Sequence, residues 1–161
     1  MKSLLERFEA KVNKNGPAPE YRPDLGPCWL WTANIGDGGY GRIRIGTKGA
    51  GGSRLVRAHR VAYQLFKGPI PDGLEPDHLC RVRHCVNPGH LEAVTHRVNT
   101  LRGEGMQAQN ARKTHCSRGH ELSGDNLVLD RQKKGARLCR TCRNQRQRDR
   151  RLRVRQEKMH G

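Results

Sequence analysis

Aromatic residues are scarce in this chain, with two Trp, two Phe and three Tyr among 161 residues. So little stacking surface for unpaired bases argues against a reader of single-stranded RNA. Hydrophobic residues make up only 34%, so an apolar core has to be modest and metal crosslinks become plausible supports. Long apolar runs are missing, as is the apolar stretch of a secretory leader, so neither a membrane-spanning nor an exported protein is expected. Acidic residues are also few, 15 against 32 Lys and Arg, which leaves a formal charge of +17. That excess points to a polyanionic partner, because each Lys or Arg near a phosphate displaces a counterion and steers association from a distance. The length suits one domain, or a small domain with an appended module.

Six cysteines are present, and each sits at metal-like spacing with histidines. This favours reduced thiolates in an intracellular protein over three disulfides. Residues 3–12 read as an amphipathic helix, capped by Ser3 with Glu6 and striped by Leu4, Leu5, Phe8 and Val12. Residues 13–27 are a connector rich in Asn, Gly and Pro, and Cys28-Trp-Leu-Trp31 follows as a compact apolar cluster. Tyr40 to Ile45 alternates as a strand does, with Arg42 and Arg44 on one face and Ile43 and Ile45 on the other. A Gly-rich turn at 49–52 leads to Arg54-Leu-Val-Arg57, so a basic hairpin is expected, a shape able to enter a major groove. His59 to Lys67 reads as a helix with Val61, Ala62, Leu65 and Phe66 facing the core and His59 as a hydrogen-bonded structural histidine. Residues 68–76, with their prolines and glycines, read as an ordered turn.

The chemistry concentrates in residues 78–99. Four residues separate Cys80 from Cys85 and four more separate Cys85 from His90, with a Pro88-Gly89 turn to fold the ligands inward. A structural zinc takes four ligands in a tetrahedron, so one more is needed: Cys28 is the candidate, with His84 as the local alternative. Leu91, Val94, Val98 and Leu101 have helical spacing, which places Thr95 and Asn99 together on a flank of that helix. His78 is then free of zinc duty and able to take a proton from water, while Asp77 and Asn99 offer hard oxygen ligands suited to magnesium.

Beyond a linker at 104–115, Cys116 and His120 followed by Cys139 and Cys142 suit a second zinc. Leu127-Val-Leu129, a Lys-Lys-Gly turn and Leu138 place a small hairpin between the two ligand pairs. Residues 112–158 hold 16 basic and 5 acidic side chains, net +11. The tail, with Arg143, Arg146, Arg150 and Arg153, is expected to contact phosphates, becoming helical on DNA and staying partly disordered without it.

Asp77-His78-Leu-Cys80, Cys85-Val-Asn87-Pro88-Gly-His90-Leu91 and Asn99 together resemble an HNH endonuclease of the His-Cys box type, in the beta-beta-alpha-metal superfamily typified by slime-mould intron homing enzymes. Runs like Tyr40-Gly-Arg and Ala58-His-Arg-Val-Ala-Tyr63 resemble phage-encoded HNH proteins, and the similarity covers roughly residues 28–103. The resemblance implies a small α+β, beta-beta-alpha-metal (HNH) core stabilised by structural zinc. It also implies His78 as general base acting through Nε2 with a carbonyl on the other ring nitrogen, and Asn99 as ligand of one catalytic divalent ion. Asp77 occupies the acid position of the broader HNH pattern and adds a second ligand. Cys28, Cys80, Cys85 and His90 match the first zinc site, and Arg42 or Arg44 matches the arginine that supports the scissile phosphate.

The expected organisation is an N-terminal helix and connector (1–27), a nuclease core with a basic hairpin (28–103), the linker (104–115), a C-terminal zinc module (116–142) and a basic arm (143–161). The expected activity is magnesium-dependent hydrolysis of double-stranded DNA to 5′-phosphate and 3′-hydroxyl ends, with two structural zinc ions. Arg42, Arg44, Arg54 and Arg57 would contact DNA beside the arm. One active site cuts one strand, so a double-strand break needs a homodimer or two binding events, and a monomer nicks. The competing reading is a non-catalytic, zinc-dependent DNA-binding protein.

Overall fold

The computed structural model describes residues 2–46, 52–130 and 136–159. The chain divides into two compact units, Met1–Asn99 and Thr100–Gly161. In the first, α1 (Leu4–Glu9) opens on a reciprocal cap. The Ser3 hydroxyl accepts from the Glu6 backbone N–H, and the Glu6 carboxylate accepts from the Ser3 N–H. The helix is shorter than the apolar stripe suggests. Val12–Asn13 instead forms β1, drawn into antiparallel pairing with β2 (Leu30–Trp31).

That pairing brings Phe8 onto Trp31, ring centroids 5.4 Å apart, in a core completed by Ile43, Ala58, Val61, Ala62, Val86 and Leu91. β3 (Arg42–Ile45) and β4 (Arg54–Arg57) form the expected hairpin in the register Arg42↔Arg57 and Ile43↔Val56. Opposed residues share a face, so Arg42, Arg44 and Arg57 stand together while Ile43 is buried on the other side. Of the turn expected at 49–52, residues 49–51 lie outside the described residues. Gly41 precedes β3 at a close approach, where a Cβ would come within 2.7 Å of the Trp31 ring.

α2 (Ala58–Lys67) buries Ala58, His59, Val61 and Ala62 and stops at Gly68, whose φ of 95° suits glycine. Phe66 is more exposed than expected and meets Trp29 and Phe8 edge-on. The chain then makes β5 (Leu74–His78), β6 (Leu91–Thr95) and α3 (His96–Arg102), a β-β-α unit.

Two expectations are corrected here. Leu74, Glu75 and Pro76 belong to a strand rather than a turn, and residues 91–95 form a strand rather than the start of a helix. Five consecutive register pairs, from Leu74↔Thr95 to His78↔Leu91, commit these backbone groups to the ladder despite the helix-like spacing of the apolar residues. Pro76 is tolerated because a two-stranded sheet consists of edges. Thr95 caps α3 through its Oγ1, which accepts from Val98 N at 3.3 Å, instead of lying on the helix flank.

In the second unit, the segment read as a linker is helical over Met106–Arg112 (α4) and buries Ala108. Arg137 Nη1 donates to the Asn110 and Ala111 carbonyls at the end of that helix, at 2.7 and 2.8 Å. β7 (Leu127–Asp130) and β8 (Ala136–Cys139) make the expected hairpin, and its Lys-Lys-Gly turn lies outside the described residues. α5 (Arg140–Met159) follows directly. The basic tail is therefore helical without DNA, contrary to the expectation of partial disorder. Its first turn is clamped by buried Cys142 and by Thr141, whose N–H and hydroxyl both donate to Asn126 Oδ1. Among the described residues, no helix is long and apolar enough to cross a membrane.

Because Phe8 is fully buried against Trp31, Phe8→Ala should destabilise the first unit by about 3–5 kcal/mol. A lowered urea midpoint followed by tryptophan fluorescence is the expected result.

Candidate metal centre and reaction site

Three segments converge on the first Cys/His cluster: Cys28 ahead of β2, Cys80 and Cys85 in the loop after β5, and His90 just before β6. One ligand atom from each lies within 4.8 Å of all the others, and all four residues are buried. Cys28 is therefore the fourth member, while His84 uses its carbonyl to accept from Trp31 N at 2.9 Å. His90 faces the sulfurs of Cys28 and Cys85 with Nδ1, 3.6 Å from each, and Nε2–H donates to the Leu25 carbonyl at 2.9 Å. That outer bond fixes the tautomer and leaves the Nδ1 lone pair aimed inward.

The turn before His90 is held by Asn87, whose Oδ1 accepts from Gly89 N and whose Nδ2 donates to the Pro27 carbonyl. A hydrogen bond from Cys85 lowers the Cys80 thiol to about 5, burial pushes Cys28 up to about 11, and hydrogen bonding to Cys80 pushes Cys85 up. Three thiolates this close repel one another. A divalent cation stabilises all three thiolates, and a Cys3His donor set fits zinc.

The second cluster, Cys116, His120, Cys139 and Cys142, also gathers within 4.8 Å. His120 Nδ1 lies 3.4 Å from Cys116 Sγ and 3.2 Å from Cys142 Sγ. Asn126 donates to Cys139 Sγ at 3.5 Å, and Cys142 N–H donates to the same sulfur at 3.4 Å, which lowers the Cys139 thiol to about 6. This set fits zinc for the same reason.

The loop that carries the first cluster also sets His78. Its Nε2 lies 2.9 Å from the Cys85 carbonyl. A carbonyl can only accept, so Nε2 carries the proton and Nδ1 keeps the lone pair. This reverses the expected assignment: Nε2 is the held nitrogen and Nδ1 is the basic one. Burial shifts His78 below the ordinary histidine range, which favours the neutral form a base requires. Its ring packs on His59 at 4.6 Å and on Tyr40 at 6.0 Å. His59, expected to be hydrogen-bonded, is packed instead; its buried Nδ1 has no partner among the described residues. Burial, reinforced by His78, Arg57 and Arg60, pushes its pKa down to about 2.

Tyr40 carries two guanidinium groups, Arg57 at 4.6 Å and Arg83 at 5.9 Å from the ring centroid. Arg42 instead lies 3.8 Å from Asp37, and Arg44 donates to Ser53 Oγ at 3.0 Å.

Asp77 is buried on β5 and accepts from Arg81 Nη1 at 3.2 Å. Strand alternation puts Asp77 and Glu75 on one face and His78 on the other. Asn99 reaches the acidic face from α3, since its Nδ2 donates to Glu75 Oε1 at 2.7 Å, and His96 Nδ1 lies 3.1 Å from the same oxygen. The Asn99 bond holds the Glu75 carboxyl below its usual range. Asp77 and Asn99 thus bring hard oxygen donors to one side of one strand, a donor set that fits magnesium. Glu75 and Arg83 escape sequence reading, as does the packing of Tyr40 on His78, because their neighbours here are distant in the chain. The one local signal was Glu75 two positions before Asp77 in an alternating run.

A β-β-α unit tied to a Cys/His cluster defines a beta-beta-alpha-metal fold. Residues 56–101 match the family model described as HNH endonuclease. The matched segment therefore carries an HNH-type endonuclease fold, and the Cys/His clusters are consistent with the His-Cys box type. It is 39% identical over 64 residues to the uncharacterized gene 5.3 protein of Enterobacteria phage T3, covering 40% of this chain and 63% of that one. It is 33% identical over 96 residues to protein 7.7 of Escherichia phage T7, covering 60% and 64% respectively. The chain thus spans just under two thirds of the length of these relatives. No solved structure is significantly similar to it.

Two predictions follow from these contacts. Purified protein should carry two zinc ions per chain by elemental analysis, with one lost in Cys28→Ser and the other in Cys142→Ser. His59 is kept neutral in the fold, whereas the unfolded chain protonates it below about pH 6.5. Its contribution to stability is therefore present above that pH and declines by up to about 1.4 kcal/mol per unit as the pH falls. Urea midpoints between pH 7 and 5 should fall less steeply in His59→Leu.

Proposed function

We propose that the protein is a metal-dependent endonuclease that hydrolyses double-stranded DNA to 5′-phosphate and 3′-hydroxyl ends. The observation that carries this reading is His78, pinned through Nε2 by the Cys85 carbonyl so that Nδ1 is left as a base, inside the segment matched by the HNH family. His78 Nδ1 takes a proton from water aligned opposite the leaving 3′ oxygen. Asp77 and Asn99 would hold a magnesium ion, which would supply positive charge to stabilise the leaving oxygen. Arg42 or Arg44 supports the scissile phosphate, and with Arg57 lines one face of a basic ribbon for the duplex, while Arg54, opposed to Ile45, contacts DNA from the other face. Along α5, Arg143, Arg146, Arg150 and Arg153 add phosphate contacts that carry affinity rather than sequence readout. The two zinc ions are structural, because four protein ligands leave no open position.

One such site cuts one strand, so a monomer nicks and a homodimer breaks both strands. The phage relatives support a setting inside an infected host cell.

Incubated with supercoiled plasmid and magnesium, the protein should produce nicked or linear DNA. EDTA should abolish cutting, and His78→Ala should reduce it by at least about 100-fold while DNA binding and zinc content persist. Equal cutting by His78→Ala would overturn the assignment of the base. DNA binding without cutting on a library of random duplex sequences would favour a binding protein.

A further inference from the structure

We infer that Glu75 is a positioning residue, which orients the Asn99 carboxamide so that its oxygen, not its nitrogen, is presented to the divalent ion. This rests on the proposal that Asn99 is a ligand of that ion. A primary amide carries an acceptor oxygen and a donor nitrogen of nearly the same shape, and rotation by half a turn about χ2 exchanges them. Only the oxygen binds a hard cation. A flipped Asn99 would turn an N–H group toward the ion, so the site needs something that recognises the nitrogen.

Glu75 does this. Its Oε1 accepts from Asn99 Nδ2 at 2.7 Å, a short charge-assisted bond that the amide oxygen cannot make with a carboxylate. The bond spans β5 and α3, the strand and helix that supply Asp77 and Asn99. His96 Nδ1 approaches the same Oε1 at 3.1 Å and anchors the carboxylate from the first turn of α3. Because Glu75 and Asp77 are two residues apart on one strand, the distance from the anchoring carboxylate to the ligating one is set by strand geometry. The side chain of Asn99 is thus locked against the face on which Asp77 stands.

The test separates orientation from charge. Glu75→Gln removes the negative charge but keeps an oxygen that can accept from Asn99 Nδ2, whereas Glu75→Ala removes the acceptor. Manganese, a paramagnetic substitute for magnesium, is titrated into the zinc-loaded full-length protein, and the free ion is followed by electron paramagnetic resonance. Asn99→Ala and Asp77→Ala serve as controls, with zinc content and circular dichroism confirming the fold.

Glu75→Ala should weaken manganese binding by about 10- to 100-fold, the range for a lost outer-shell partner, and Glu75→Gln should stay within about 3-fold of the native protein. In cleavage assays, Glu75→Ala should raise the metal concentration needed for half-maximal rate while leaving KM for DNA unchanged. Equal losses in Glu75→Gln and Glu75→Ala would overturn positioning in favour of a plain charge effect or direct ligation. No loss in Glu75→Ala while Asn99→Ala loses the ion would overturn the inference alone. Native binding retained in Asn99→Ala would overturn the ligand assignment beneath it.

Discussion

Everything that matters chemically hangs from one residue used twice. Cys85 gives its sulfur to the first Cys/His cluster and its carbonyl to His78 Nε2. The cluster draws in the segment before β2, the loop after β5 and the entry to β6, and β2 pairs back to β1 beside Phe8. With so few aromatic and apolar residues, the chain has no large core to spend on holding that loop in place. Four buried ligands hold it instead, and the orientation of His78 is a by-product of the same loop closure. The closure of the Cys/His cluster and the orientation of His78 are therefore mechanically coupled.

The two faces of β5 divide the remaining work. His78 looks toward Tyr40 and His59, a packed, largely neutral surround that favours an uncharged imidazole. Glu75 and Asp77 look the other way, where Asn99 and His96 approach from α3. Alternation along the strand turns His78 and Asp77 to opposite faces, so adjacent residues sit in different surroundings. Arg57 and Arg83 on the Tyr40 ring place positive charge near the histidine without placing it on the His78 ring itself.

Much of this was legible in the residues. The Cys80, Cys85 and His90 ligands, the pairs of the second cluster, the basic hairpin, α2 and the capping box follow from short-range spacing, and the structure reproduces them because ligand geometry and strand alternation are local rules, whereas Cys28 joins its cluster from 62 positions before His90. Residues 91–95 show where locality fails. Leu91 and Val94 lie three apart, which suits a helix, but Leu91 and Val94 also pack as strand residues once β5 supplies partners for the backbone. The helix begins only at His96, where that ladder ends. Glu75, Tyr40 and Arg83 acquire meaning from partners up to 45 positions away, such as the Arg83 bond to the Gly38 carbonyl, and no local pattern announces them.

α5 presses the same point from the opposite side. By charge alone, a run as rich in Arg as α5 should repel itself out of a helix, and that reasoning omits its first turn. Nucleation is the costly step in forming a helix, and here it is met by the fold: Cys142 is buried in the second cluster, and Thr141 donates twice to Asn126. Once that turn is fixed, extension costs little per residue, and the i,i+4 contact of Gln145 with Asp149 assists it. The zinc-binding residues of this unit therefore do more than staple a small hairpin. They set the starting direction of an exposed basic helix, so that its arginines are presented along a rod rather than dispersed over a coil.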